Sequence, residues 1–344
     1  MSIETLIKAM PKVDLHLQFE GTVPRETIMI MVDQNEVKEK IKRFDKWLET
    51  YQNPDFKKLD DLTEMLRSWI EHEDDLVRAV YDIGVWMNKD NIRYAEIAIN
   101  PLAFVTGDFT FDQFIASIND GRDRAERAWG VKMRWVLLTA RNDPRRADEI
   151  GRWAASTTAR KGGVVGIAVA GHDGNAPLDA FERAFSNAEK KGLSRTVYLN
   201  EKDDLTEAIK LLNPTAIVDA WGAVHAAGGL GLAPLVAANI ELSIGLKRAE
   251  RRGWVSQMAN YPLAQMIAAG VPLTFTTHMP TLFGATLSED FTAAVALGLM
   301  TLEDVQTVTL RSLQRAQLTE EEKAELTVIF NTEIAVLLEE HAVN

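Results

Sequence analysis

The stretch KVDLHLQFEGT, residues 12–22, has the pattern of a short buried strand that ends in polar residues and opens into a loop. Further apolar runs of strand length follow it along the chain, and most are apolar at nearly every position. Strands covered on both faces of a parallel sheet have this continuous pattern. The eight predicted strands are residues 13–17, 92–99, 133–139, 164–170, 196–199, 216–220, 240–246 and 272–277.

Segments with helical spacing separate most of these strands, as residues 112–129 and 178–191 illustrate. Alternation of strand and helix is typical of parallel β/α units. Eight strands are the number in a closed (β/α)8 barrel of the TIM type, although an open doubly wound sheet would produce the same alternation. We therefore expect an α/β fold, with the barrel as the favoured architecture.

Two regions depart from the alternation. Residues 25–90 form a long, charged and mostly helical insertion after the first strand, and residues 57–76 within it have the amphipathic pattern of a helical lid. Residues 301–344 are predicted to add C-terminal helices. Because no linker separates these parts, we expect a single domain over residues 1–344.

The composition narrows the classes of function. The 344-residue chain is 46% hydrophobic, has a formal net charge of −12 and contains no cysteine. An acidic chain without a basic stripe is not expected to bind nucleic acid, and the lack of cysteine excludes disulfides and thiolate zinc sites. No signal peptide is apparent, and no apolar run reaches the roughly 18 residues of a membrane span. We expect a cytoplasmic protein without a membrane partner, of undetermined oligomeric state.

Catalytic and binding residues of a (β/α)8 barrel lie on the loops after the C-terminal ends of the strands. Three of the six histidines, His16, His172 and His278, lie at such positions, although the solvation of loops alone could produce this placement. The other polar or aromatic residues singled out at strand ends are Gln18, Glu20, Arg141, Asp173, Tyr198, Glu201, Asp219, Trp221, Lys247 and Arg248.

Four blocks of sequence resemble the adenosine deaminase family of the amidohydrolase superfamily, and the resemblance covers about residues 10–297. The blocks are PKVDLHLQFEGTVPRETI, VVGIAVAGHDG, TVYLNE and AAGVPLTFTTHMPTLFGATLSEDF, in this order. The resemblance implies a (β/α)8 barrel, one zinc ion and hydrolytic removal of the 6-amino group of a purine nucleoside. The member is divergent, because most positions that the family uses for zinc and catalysis carry other residues.

The resemblance assigns the family's zinc ligands to His16, Gln18, Tyr198 and His278. His16 is the family's own residue, and His278, which replaces a carboxylate, can still bind a metal. Gln18 and Tyr198 replace imidazoles. An amide oxygen is a neutral ligand, and a phenol binds metal as phenolate, against an ordinary pKa of about 10. We therefore expect no cofactor. The alternative is one divalent metal, zinc or another, at a rebuilt site.

Catalytic residues follow from the same resemblance. Glu201 is at the position of the glutamate that protonates the purine. The sixth-strand position of the family's base falls on Trp221 if the glycine after it is matched, or on Asp219 after a two-residue shift. Both assignments remain open.

Ligand contacts are also implied. Gly171 is at the position of the glycine that meets the purine ring, and Met279 replaces a substrate-binding aspartate. His172 and Asp173, which follow Gly171, are further candidates, as is Trp221.

Two hypotheses from different classes follow. In the first, the chain keeps a pocket for a nucleoside-like or other small molecule but has lost zinc-dependent deamination. In the second, it is an active hydrolase or deaminase with a rebuilt metal site, or with a metal-free acid/base site of His16, Glu201, Asp219 and His278. The basic loop at residues 246–254 is interpreted as a solvated helical turn rather than an anion-binding loop.

Overall fold

A computed structural model describes residues 1–41, 44–56, 58–171, 176–225 and 230–343. Its centre is one sheet of eight strands that pair in chain order, each parallel to the next. The strands are β1 (Lys12–Gln18), β2 (Ile92–Ile99), β3 (Lys132–Ala140), β4 (Val164–Ala170), β5 (Ser194–Tyr198), β6 (Ala216–Val218), β7 (Glu241–Ile244) and β8 (Leu273–Phe275).

Contacts between β1 and the chain after β8 bring the two edges of the sheet together. The backbone N–H of Gln18 donates to the carbonyl of His278 at 2.7 Å. The buried carboxylate of Asp14 accepts from the hydroxyls of Thr276 at 2.6 Å and Thr277 at 2.9 Å. These bonds confirm the (β/α)8 barrel, and they place the end of β1 directly beside His278.

Helices surround the barrel, and several of them fill the segment between β1 and β2. The α-helices of the described residues are α1 (Ile3–Ala9), α2 (Phe19–Thr22), α3 (Arg25–Gln34), α4 (Val37–Lys40), α5 (Phe44–Gln52), α6 (Leu59–Arg67), α7 (Glu73–Lys89), α8 (Phe111–Trp129), α9 (Ala147–Ala154), α10 (Thr157–Lys161), α11 (Glu182–Lys190), α12 (Leu205–Leu212), α13 (Trp221–His225), α14 (Ala233–Ala238), α15 (Leu246–Arg251), α16 (Leu263–Ala268), α17 (Pro280–Phe283), α18 (Leu287–Ala296), α19 (Leu302–Arg315) and α20 (Glu320–Val343). Short 3-10 helices lie at Pro101–Ala103, Pro144–Arg146, Leu178–Phe181, Leu230–Leu232 and Met258–Asn260. The expectation of a single domain stays a prediction.

The last three strands are shorter than the apolar runs predicted. β6 ends at Val218 because Asp219 and Ala220 have φ values of 75° and 48°, in the left-handed region that ends an extended strand. β7 ends at Ile244 because Gly245 begins the turn into α15. Both strands therefore end at bends, and Ala220 and Leu246 beyond them are buried outside the sheet.

Among the described residues, no helix is both long and apolar enough to cross a bilayer.

Candidate functional site at the barrel mouth

His16 is turned toward the interior of the barrel. Its Nε2 lies 2.8 Å from Oε1 of Glu241, the first residue of β7, and both side chains are buried. Burial lowers the pKa of His16, but the charge and hydrogen bond of Glu241 outweigh this effect and raise it above its ordinary value. Burial raises the pKa of Glu241, but the charge and hydrogen bond of His16 are the main effects that lower it, and the net shift is downward. The two groups therefore form a buried ion pair.

The side chains at the other implied zinc positions interact with one another. Nε2 of His278 lies 3.2 Å from Oε1 of Gln18, and the ring of Tyr198 stacks on His278 with centroids 4.8 Å apart. The hydroxyl of Tyr198 donates to the backbone carbonyl of His16 at 3.2 Å. All four side chains are buried, so β1, β5 and the end of β8 meet in a packed cluster.

This cluster does not fit a zinc ion as it stands. Zinc needs several converging anionic or imidazole ligands and, for catalysis, an open position. Nε2 of His16 is directed at Glu241, and burial raises the pKa of Tyr198, which keeps the phenol protonated. Within the ranges that the structure describes, no three His, Cys, Asp or Glu side chains form a group that could hold a metal ion.

The two candidates for the sixth-strand base occupy different surroundings. Asp219 is buried at the end of β6, where Oδ1 accepts from Nε of Arg248 at 2.9 Å and from Nη2 at 2.5 Å. Burial raises the pKa of Asp219, and the charge of Arg248 opposes this. Trp221 begins α13 and stacks on Trp254 with centroids 6.0 Å apart. Asp219 is thus held inside the mouth, and Trp221 lies in an aromatic stack at the rim.

Glu201 and Met279 do not face the same space. Glu201 is exposed, and its Oε1 accepts from Nε1 of Trp254 at 2.5 Å. Met279 is fully buried and packs so closely on Gly21 that a Cβ added there would lie 2.3 Å from the Cβ of Met279. The four groups of the predicted acid/base set are therefore divided: His16 pairs with Glu241, His278 contacts Gln18, Asp219 pairs with Arg248, and Glu201 lies at the rim.

A cavity of about 300 Å³ lies at the mouth on the side of β1 to β4. Helix α6 of the insertion covers it, so this helix contributes to a lid. Its lining is Gln18, Glu20, Asp60, Thr63, Glu64, Arg67, Asn100, Leu102, Ala103, Leu138, Ala140, Arg141, Asn142, Asp143, Ala170 and Gly171. Of the predicted site residues, Gln18 and Gly171 line this cavity. His172 and Asp173 lie outside the described residues.

Arg141 organises one wall of the cavity. Its Nη1 donates to Oδ2 of Asp203 at 2.6 Å, and its Nε donates to the carbonyl of Ala176 at 3.0 Å. Gly171 permits this arrangement, because a Cβ at that position would lie 2.7 Å from the Cβ of Arg141. The guanidinium therefore joins the loops after β4 and β5 beside the cavity.

Sequence reasoning placed Glu20 and Arg141 at strand ends, where site residues were expected, but assigned neither a specific role. It did not single out Glu241. Burial raises the pKa of Glu20, whose Oε2 accepts from Nε2 of Gln18 at 3.3 Å. Glu241 begins a strand, so its contact with His16 was not visible without the barrel.

A comparison with protein families agrees with the barrel fold. A model described as adenosine deaminase matches residues 11–331. The chain belongs to the adenosine deaminase family. An aminodeoxyfutalosine deaminase from Acidothermus cellulolyticus is 27% identical over 85% of this chain and 84% of its own. An adenosine deaminase from Clostridium kluyveri is 23% identical over 90% of each chain.

Solved structures of similar proteins share the fold. A zinc-bound amidohydrolase from Burkholderia ambifaria has a TM-score of 0.87 at 21% identity, over 99% of this chain and 95% of that chain. The N6-methyl-AMP deaminase of Arabidopsis thaliana has a TM-score of 0.83 at 19% identity, over 96% and 98%. Similar structures are also known in complex with IMP and with GMP. This adenosine deaminase family member thus has relatives that are described as deaminases and that bind zinc or nucleotides.

Proposed function

We propose that this family member binds a nucleoside-like or other polar small molecule and does not carry out zinc-dependent deamination. One observation carries the proposal: the side chains at the four implied zinc positions bond to protein groups instead of converging on a shared metal position. His16 contacts Glu241, Tyr198 donates to the carbonyl of His16, and His278 contacts Gln18.

Reorganising this cluster around zinc would be costly. His16 would have to release Glu241 and leave a buried carboxylate without its partner, which typically costs about 3–5 kcal/mol. Tyr198 would have to lose a proton although burial raises its pKa. Gln18 would contribute a neutral oxygen in place of imidazole. These costs together favour a site that works without the ion.

The ligand is proposed to occupy the cavity beside β1 to β4. Amide groups of Gln18, Asn100 and Asn142 line it and provide both donors and acceptors. Apolar atoms of Leu102 and Leu138 provide surface for a planar ring. Its volume of about 300 Å³ is at the small end of the range for ligand pockets, which suits a nucleoside or a free base.

A second candidate function is deamination or hydrolysis by a metal-free acid/base site. The observation that favours it is Glu20, a buried carboxyl group of raised pKa in the cavity lining. A carboxyl group of raised pKa keeps its proton to a higher pH than an exposed one, which suits a general acid. The curated relatives are described as deaminases, which agrees with this candidate.

The test combines metal content, activity and binding on untagged protein dialysed against metal-free buffer. Plasma mass spectrometry measures the metal content. Activity is measured, with and without added zinc, as the release of ammonia from adenosine, adenine and aminodeoxyfutalosine. Binding of the same compounds is measured by thermal shift. We expect well under one metal per chain, no zinc-stimulated ammonia release and a saturable thermal shift. One zinc per chain that is lost in His16→Ala, together with ammonia release, would overturn the proposal.

The second candidate predicts a different result in the same assay. Ammonia would be released without metal, and Glu20→Gln would abolish the release. Glu321→Gln, at an exposed position on α20, is the matched control and should leave every reading unchanged.

A further inference from the structure

Arg248 is a buried cation inside the barrel mouth. It lies in α15, its side chain is 2% exposed, and it donates two hydrogen bonds to Oδ1 of Asp219. Its Nη1 also lies 3.5 Å from the carbonyl of Thr276, two residues before His278. The interpretation of residues 246–254 as a solvated turn is therefore wrong for Arg248.

Hydrogen bonds and close backbone packing hold helix α15 in the position that places the guanidinium of Arg248 in the mouth. The buried carboxylate of Asp290 accepts from the backbone N–H groups of Leu246 and Lys247, each at 3.0 Å. A Cβ at Gly245 would lie 2.8 Å from the carbonyl of Thr276, so the helix begins in close contact with the chain after β8. The first turn of α15 is thus attached both to α18 and to the segment that carries His278.

The charge of Arg248 acts on the cluster at the implied zinc positions. It is among the charges that act on Tyr198, which stacks on His278 at 4.8 Å. It also acts on Tyr261, a buried neighbour of the Trp221 stack. A positive charge therefore already stands in the half of the mouth formed by β5 to β8.

We propose that the guanidinium of Arg248 supplies, from the chain itself, the cation that a metal ion provides in this half of a metal-dependent barrel of the family. The inference rests on the proposed function. Arginine keeps its charge at every pH at which the protein folds, and a chelator cannot remove it. Its pairing with Asp219 occupies a carboxylate that would otherwise be available to a metal, and its charge repels a divalent cation.

The experiment measures divalent-metal affinity by titrating metal-free protein with Zn²⁺ by calorimetry, and with Co²⁺ by visible absorption. Arg248→Met removes the charge and retains much of the volume. We expect the affinity of this variant for Zn²⁺ and Co²⁺ to be at least tenfold higher than that of the wild-type protein. Arg248→Lys, which keeps a cation, should remain close to the wild type.

Two further variants control the result. Arg251→Met removes the same charge from an exposed position of the same helix and should not change metal affinity. Arg248→Met combined with Asp219→Asn removes both members of the buried pair and should lose the gained affinity. This double variant leaves no unpaired buried charge, and folding of each protein is checked by circular dichroism.

The outcomes separate this inference from the proposed function. If the wild-type protein is metal-free but Arg248→Met gains no affinity, the inference fails while the proposed function stands. If the wild-type protein binds one zinc per chain with Arg248 in place and releases ammonia, both fail. A gain in Arg251→Met equal to that in Arg248→Met would also overturn the inference, because net charge alone would then explain it.

Discussion

The two halves of the barrel mouth differ in how their strands end. β1 to β4 have seven to nine residues each, and the mouth above them contains the cavity of about 300 Å³. β5 to β8 have three to five residues, and above them lie the Tyr198–His278 stack, the Asp219–Arg248 pair and the aromatic rim. Above the shorter strands, a stacked pair of rings and an ion pair occupy the mouth. One barrel can therefore have an open cavity on one side of its mouth and a packed cluster on the other.

The largest expected difference in stability is between variants that break one ion pair in each half of the mouth. Asp219→Asn leaves Arg248 buried without a charged partner and should lower the free energy of unfolding by about 3–5 kcal/mol. Glu64→Gln, beside the cavity, removes an exposed 3.8 Å pair with Arg67 and should cost about 0–1 kcal/mol. Urea unfolding at pH 7 measures both. Equal losses would contradict the distinction between a packed half and an open half.

The pH dependence of stability gives the second comparison. Burial is the main reason why the pKa of Glu96 on β2 rises from 4.5 to about 7 and that of Asp290 on α18 from 3.8 to about 6. The folded state then keeps each proton to a higher pH than the unfolded state. Stability should therefore fall as pH rises from about 4.5 to 7 for Glu96, and from about 3.8 to 6 for Asp290.

The matched variants for this prediction are Glu96→Gln and Asp290→Asn. Each should flatten the curve of unfolding free energy against pH in its own window, by roughly 3 kcal/mol. Chemical denaturation from pH 4 to 8 provides the measurement. Curves for Glu96→Gln and Asp290→Asn that run parallel to the wild-type curve would contradict the prediction.

Gly171 tests whether the open half depends on close packing around Arg141. Gly171→Ala places a Cβ 2.7 Å from the Cβ of Arg141, so we expect a loss of about 1–3 kcal/mol and weaker binding of adenosine. Gly151→Ala, in α9, meets its nearest atom at 3.5 Å and should stabilise the protein by about 0.5–1 kcal/mol. Unfolding and adenosine calorimetry distinguish the two. Unchanged adenosine binding in Gly171→Ala would place the ligand elsewhere.

The smallest effect is expected at the rim. Glu201→Gln alters one exposed hydrogen bond to Trp254 and should change stability by less than about 1 kcal/mol. Because Glu201 does not line the cavity, adenosine affinity should stay within about twofold of the wild type. Arg67→Met, in the cavity lining, is the positive control and should reduce that affinity. A large loss of binding or activity in Glu201→Gln would restore this residue as a catalytic candidate.

The local pattern of apolar residues was sufficient to predict a barrel architecture, because burial selects apolar residues in each strand independently. Runs such as residues 92–99 and 164–170 coincide with β2 and β4, since a strand buried on one face against the barrel interior and on the other against helices is mostly apolar. The ends of β6 and β7 were missed, because Ala220 and Leu246 beyond them are buried outside the sheet. An apolar run alone does not distinguish these two kinds of burial.

The sequence by itself favoured the barrel, indicated the family, and predicted that Gln18, Tyr198 and His278 replace zinc ligands of the family while His16 is retained, because each of these depends on residue type and order along the chain. The tertiary structure decided which side chains meet. Glu241 reaches His16 across 225 positions, and Arg248 reaches Asp219 across 29. No local pattern encodes such contacts, because closing the barrel sets them. Because of these contacts, the side chains at the mouth bond to one another and do not form a set of metal ligands.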